Sequence, residues 1–293
     1  MRVGSAAVNY PDVLLVANSY QIKVPPPFIP GSEFAGTITE VADGVAGATV
    51  GDRVLGTTLV GAFAEEVVVR ETAVSRIPAG IDDSVAAAFG VAHRTAFHVL
   101  RSIAQVQAGE DLIVLGAGGG VGLAAVQLGV QVGANVTAVA SSPAKLDVAR
   151  LNGARTLIDH KVSDLRSALR AAHPSGADVV VDPVGGDLSE PSLRSLRWGG
   201  RFVTVGFASG AIPRIPLNLV LLKGMQILGF QFADFARNAP NDMRRNEAEL
   251  LALFASGQIR PHIGARFALE DAAEALRYVA DGRAIGKVVL EVQ

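Results

Sequence analysis

The segment 111–122, Asp-Leu-Ile-Val-Leu-Gly-Ala-Gly-Gly-Gly-Val-Gly, is a short apolar run that breaks into a glycine-packed turn ahead of a helical stretch. Glycine loses more backbone freedom on ordering than any other residue, so this density calls for close approach of the main chain to something else. The following helix offers unpaired N–H groups and the positive end of its dipole to an anion. Strand, turn and helix together predict a pyrophosphate cradle, and hence a dinucleotide.

Composition narrows the class. At 293 residues the chain exceeds the size at which one core keeps growing, so two domains are expected. An apolar share of 49% with 18% charged residues supplies buried cores and excludes a mainly disordered chain. Lys and Arg number 26 against 28 Asp and Glu, and no basic stripe interrupts the sequence, which argues against nucleic acid as a partner. There is no cysteine, so disulfides, thiol catalysis and thiolate metal sites are excluded. The N-terminus lacks a leucine-rich run and does not read as a signal peptide, and the most apolar stretch, 112–140, is broken by its glycines, Gln127 and Gln131. A cytoplasmic protein without a membrane partner is the expectation.

Residues 1–90 read as short strands at 3–8, 33–40, 52–55, 62–69 and 73–76, divided by Pro and Gly sites that preclude long helices. Asp83 or Ser84 then caps a helix through Ala88, and 95–102 continues helically. From there strands at 112–115, 136–140, 156–158, 179–182, 201–205 and 226–230 alternate with helices at 121–132, 144–151, 164–171, 188–196 and 217–223. Apolar strands alternating with helices describe an α/β, doubly wound parallel sheet covered on both faces. A polar stretch at 238–245, helices at 246–255 and 270–281 and a last strand at 287–292 follow, and the last strands are expected to return to the first domain. The domains read as 1–92, 93–232 and a return over 233–293.

Within the turn, Ala117-x-Gly119-x-x-Gly122 is the dinucleotide fingerprint with Ala in its first glycine position. Gly118, Gly119, Gly120, Val121 and Gly122 are the candidate backbone contacts; the bland alternative is a merely tight strand–helix turn. The second strand discriminates between cofactors. An acidic residue at its end would hold the ribose hydroxyls of NAD, but 136–140 ends in Ser141-Ser142, with Lys145 three residues on. Hydroxyls and a lysine suit a 2′-phosphate, so NADPH is the expected cofactor. Ser141 and Ser142 ahead of Pro143 are equally good helix-cap chemistry, and Lys145 has a solvated alternative. The five histidines, His93, His98, His160, His173 and His262, are scattered, and no zinc or other metal site is expected. Such a site suits a conjugated carbonyl or quinone, which accepts hydride without a metal.

Several further runs are specific: Val-Asn-Tyr-Pro-Asp at 8–12, Pro-Gly-Ser-Glu-Phe-Ala-Gly at 30–36, Val-Gly-Asp-Arg-Val at 50–54, the glycine turn with Leu-Ala-Ala-Val-Gln-Leu at 123–128, Val-Asp-Pro-Val-Gly-Gly at 181–186, Gly-Gly-Arg-Phe at 199–202 and Gly-Lys-Val-Val-Leu at 286–290. On these runs the chain resembles the zinc-free quinone oxidoreductases, the zeta-crystallin-like group of the medium-chain dehydrogenase/reductase superfamily. The resemblance implies a Rossmann domain inserted in a GroES-like β-barrel domain, with the active cleft between them. It places Asn9 and Thr95 near the nicotinamide and Tyr20 in the substrate cleft. It sets Ser141, Lys145 and His160 at the adenosine 2′-phosphate, although the family more often has Tyr at the position of His160. Phe207 and Lys287 fall on residues lining the nicotinamide and pyrophosphate. It further implies a homodimer through the Rossmann sheet edge, here the strand at 226–230. As residues alone, Asn9 is also turn chemistry, Tyr20 cleft packing, Thr95 a helix cap, and Glu33 a brace for the turn 30–36.

Family members carry a further segment ahead of the strand that here starts at residue 3. The barrel is therefore expected to be N-terminally shortened, lacking its first hairpin and leaving a sheet edge unpaired, and Met1 is expected to lie downstream of the native start. Together these readings point to NADPH-dependent hydride transfer to a quinone or related enone. An enoyl-thioester reductase is the nearer alternative, and a non-catalytic, RNA-binding crystallin-like protein the more distant one.

Overall fold

In the computed structural model, which describes residues 1–292, the punctuated region at 1–90 yields four strands: β1 (Arg2–Val8), β2 (Glu33–Thr37), β3 (Arg53–Thr57) and β4 (Val74–Arg76). The alternating region yields β5 (Asp111–Leu115), β6 (Asn135–Ala140), β7 (Thr156–Asp159), β8 (Ala177–Asp182), β9 (Leu196–Thr204) and β10 (Gln226–Gly229). The chain ends in β11 (Ile263–Ala268) and β12 (Lys287–Glu291). These strands belong to two units, Met1–Ala92 with Arg260–Gln293, and His93–Ile259.

The first unit holds a six-stranded sheet of order β11-β12-β1-β2-β3-β4. Only β11 and β12 run parallel; β1 pairs antiparallel with β2 on one side, Ala6 opposite Phe34, and with β12 on the other, Ala6 opposite Leu290. The first strand is therefore central, and the edges of the sheet are β11 and β4. The apolar residues of β1 pack with Phe34, Phe63, Val67, Ala275 and Leu290 into the core of this unit.

The second unit holds six parallel strands in the order β10-β9-β8-β5-β6-β7. Ile113, Leu115, Val139, Val180 and Phe202 from its central strands are buried with Leu165, Leu169, Leu193 and Leu196. β5 pairs with β6 on one flank and β8 on the other. The order reverses there, and ligands of doubly wound sheets bind beyond the carboxyl ends of strands at such a point. The turn that leaves β5 is the glycine turn.

Three expectations are corrected. Residues 62–69 form no strand: β12 occupies the flank of β1 at Ser5–Val8, which leaves only the start of β1 open to a single bridge between Arg2 and Glu66. The polar stretch at 238–245 is helical, within Phe232–Asn238 and Pro240–Ala255. The second unit runs on to Ile259 instead of ending at 232, because the helix Pro240–Ala255 buries Asn246, Leu250 and Phe254 and Asn246 bonds to His98 and Ser102 of that unit. Among the described residues no helix is long and apolar enough to cross a membrane.

Candidate functional site

The helix Gly120–Val132 opens on Gly119, a cap residue with no side chain to satisfy the first-turn N–H groups. Gly119 N donates to Gly116 O at 2.9 Å, and Ala117 N to Val139 O at 3.0 Å, which folds the turn back over the ends of β5 and β6. A Cβ on Gly122 would run into the carbonyl oxygen of Gly116, whereas one on Gly119 would find only Gly116 O, at 3.5 Å. Gly122 thus lets helix and turn pack, and Gly119 leaves the helix mouth open. An open mouth ringed by Gly119, Gly120 and Val121, all half-buried, fits the pyrophosphate of a dinucleotide.

At the end of β6 the two serines divide their work. Ser142 caps the helix Pro143–Leu151, accepting from Lys145 N at 3.4 Å; Ser141 Oγ accepts from Lys145 Nζ at 3.3 Å. Burial lowers the Lys145 ammonium below the ordinary lysine range. His160 follows β7, its N–H held by Ala140 O at 3.1 Å. Burial, then the charge of Lys161, lowers its imidazole, and Lys145 adds to this. Ser141, Ser142, Lys145 and His160 therefore gather beyond β6 and β7, where β6 ends without a carboxylate.

Phe207, in the loop after β9, lies over Gly185: a Cβ there would meet Phe207 Cδ1 at 2.8 Å. Asp182 is fully buried and spent on structure, accepting from Val184 N and Gly185 N, each at 2.8 Å, and from Ser189 Oγ at 2.6 Å. Thr95 sits within the helix Gly90–His98, so it is not a helix cap.

The remaining site residues lie in the first unit, in a cluster that sequence reading did not anticipate as one. Lys287 is buried at the start of β12, with its ammonium on Asn9 Oδ1 at 2.5 Å, Glu33 Oε2 at 2.9 Å and Val8 O at 3.5 Å. Asn9 Nδ2 faces Glu33 Oε2 at 3.0 Å and Ala7 O at 3.3 Å. The three donors of the Lys287 ammonium thus point at protein acceptors. The second oxygen of Glu33 accepts from Val91 N at 2.6 Å, so this residue of the segment 30–36 is tied to its surroundings at both oxygens.

Asp12 is the member missed. Its Oδ2 accepts from Asn9 N at 2.8 Å, starting the helix Tyr10–Val16, while Oδ1 is buried without a partner. Burial lifts its carboxyl to about 6, against the lowering by hydrogen bonds and by the charge of Lys287, with the charge of Glu33 adding to the rise. The spacing Asn9-x-x-Asp12 ahead of an apolar run is a capping signal that would have revealed it. Tyr20 is half-buried, and burial raises its phenol, with the Asp12 charge adding to this.

No group of three or more His, Cys, Asp or Glu side chains among the described residues is placed to hold a metal ion. His93 bonds to Gln127 at 3.1 Å and His98 to Glu247 at 3.0 Å.

Residues 1–79 match the family described as alcohol dehydrogenase GroES-like domain, and 120–252 the one described as zinc-binding dehydrogenase. Without cysteine and without a suitable cluster, this chain's donor set does not fit the zinc of that second description. A quinone oxidoreductase-like protein 2 homolog of Nematostella vectensis is 34% identical over 297 residues, spanning 100% of this chain and 81% of that protein. The solved quinone oxidoreductase from Thermus thermophilus, studied also in complex with NADPH, superimposes with a TM-score of 0.83 at 30% identity, covering 99% of this chain and 90% of the other. The CurK enoyl reductase does so with a TM-score of 0.88 at 25% identity, covering 100% and 90%. Its two matched domains and its similarity over its whole length to these proteins make this chain a member of the zinc-free quinone oxidoreductase-like family of the medium-chain dehydrogenase/reductase superfamily.

Proposed function

We propose that this oxidoreductase uses NADPH to reduce a quinone or a related activated enone, without zinc. The observation that carries the reading is the end of β6, where Ser141 and Lys145 stand together and the strand itself ends without a carboxylate. The nicotinamide supplies the hydride. The open helix mouth at Gly119–Gly122 binds the pyrophosphate through backbone N–H groups, while Lys145 and Ser141 take the 2′-phosphate by charge-assisted hydrogen bonds. His160, neutral at pH 7, supports the adenosine end and adds charge only in acid.

On the substrate side Tyr20 is the proton donor, since a phenol raised above its ordinary value keeps its proton at neutral pH. Asn9 acts through its fixed position, clamped by Lys287 and Glu33. The Thr95 side chain, half-buried in its helix, and the Phe207 ring orient the nicotinamide. Catalysis then rests on proximity and orientation rather than on a strong acid or nucleophile.

Titrating oxidation of NADPH and of NADH against a simple quinone and against crotonyl-CoA tests the reading. Turnover of the quinone with NADPH preferred supports it. Turnover of the thioester alone would transfer the assignment to an enoyl-thioester reductase, the reading that the likeness to an enoyl reductase favours. A salt-dependent RNA shift with no turnover of either acceptor would replace both. We further propose a homodimer through β10, the edge strand of the parallel sheet. Exposed Trp198, Leu217, Leu221, Leu222 and Ile227 near that edge support it.

A further inference from the structure

Within the glycine turn, Gly118 differs from Gly119 in what its missing side chain faces. A Cβ on Gly118 would lie 2.5 Å from Lys145 Cβ, 2.6 Å from its Cγ and 3.0 Å from its Cδ. These are not the far end of a flexible side chain. Lys145 Cβ is fixed to the first turn of the helix Pro143–Leu151, which Pro143 and the Ser142 cap hold in place. The stem of Lys145 therefore runs directly across the bare Cα of Gly118 on its way to Ser141 Oγ. Had residue 118 any side chain, the stem would have to leave this path, and the ammonium would leave the hydroxyl it now meets.

We propose that Gly118 is a positioning residue for cofactor specificity: by lacking a Cβ it seats Lys145 across the turn and so holds the ammonium where a dinucleotide carrying a 2′-phosphate is told from one without it. This rests on the reading of Lys145 as the phosphate ligand. The fingerprint glycines then have separate duties. Gly119 keeps the helix mouth open, Gly122 lets the helix pack, and Gly118 couples the turn to the neighbouring helix, acting on the phosphate only through Lys145.

Calorimetric titration of NADPH and NADH, without substrate, into the full chain and into Gly118→Ala, Lys145→Gly and the double variant separates these duties. Loss of one charge-assisted contact to phosphate corresponds to roughly a tenfold weakening, so Lys145→Gly and Gly118→Ala are each expected to weaken NADPH about tenfold and NADH less than about threefold. The double variant is expected to match Lys145→Gly alone, because removing the lysine side chain restores the room that the methyl group introduced by Gly118→Ala needs. Equal weakening of both nucleotides by Gly118→Ala, with Lys145→Gly selective for NADPH, would overturn the proposal while sparing the cofactor reading. An unchanged NADPH-to-NADH ratio in Lys145→Gly would overturn the cofactor reading, and this proposal with it. If Gly118→Ala folds poorly, recovery of its unfolding temperature in the double variant supports the steric link, and failure to recover refutes it.

Discussion

At the scale of single residues, the cluster at the end of β6 was legible because it is local. Ser141, Ser142 and Lys145 lie within five positions, and the structure brings them together at the end of β6. Lys145→Glu is expected to weaken NADPH tenfold or more, and NADH only slightly, in a fluorescence titration, since it sets a carboxylate against the 2′-phosphate. Asp12 was not legible as a buried acid, because its burial depends on strands distant in sequence. Its carboxyl titrates at about 6 in the folded state against an ordinary 3.8. Between those values the folded protein holds a proton that the unfolded chain releases, so stability falls as pH rises through that window and the full cost persists above it. Asp12→Asn escapes the cost while keeping an acceptor for Asn9 N. It is expected to stabilise the protein by up to about 3 kcal/mol at pH 8 and by almost nothing near pH 4, a difference read from denaturant unfolding at the two pH values.

At the scale of elements, the strands of the parallel sheet were readable from their apolar runs, which burial on both faces requires. The first turns of two helices were not. In Tyr10–Val16 the start is fixed by the Asn9–Asp12 pair with Pro11 behind it. In Pro240–Ala255 the opening turns are polar and only the stripe Asn246, Leu250 and Phe254 is buried, so the apolar period begins later than the helix. The junction of β5 with its helix is the least forgiving element. Gly122→Ala would force its Cβ against the Gly116 carbonyl, with no flexible group to yield. The expected outcome is a loss of about 2 kcal/mol or more of stability together with weakened binding of both nucleotides, seen as a lower unfolding temperature and a shallower calorimetric titration.

At the scale of the whole molecule, the alternation of strands and helices announced the parallel sheet, and the leftover strands at the end of the chain pointed back to the first domain. β10 leaves its outer flank open at the edge of that sheet. In the adjoining helix Asn218–Lys223, Leu221 is 83% and Leu222 73% exposed. If this face joins two copies, replacing both leucines by aspartate is expected to convert the dimer to a monomer in sedimentation velocity while leaving NADPH binding within about twofold of the parent. A parent chain that sediments as a monomer would remove the dimer from the reading.

The sequence by itself determined the strand, glycine turn and helix, the parallel alternation and the absence of thiolate chemistry, because each depends on near neighbours or on composition. Only the tertiary structure decided that β1 is the centre of its sheet, that the Lys287 ammonium is spent on Asn9 and Glu33, and that Gly118 makes room for Lys145. Lys287 meets Glu33 across 254 positions of chain. Such a pairing is selected by which strands lie side by side, and the period of an individual segment carries no record of its neighbour.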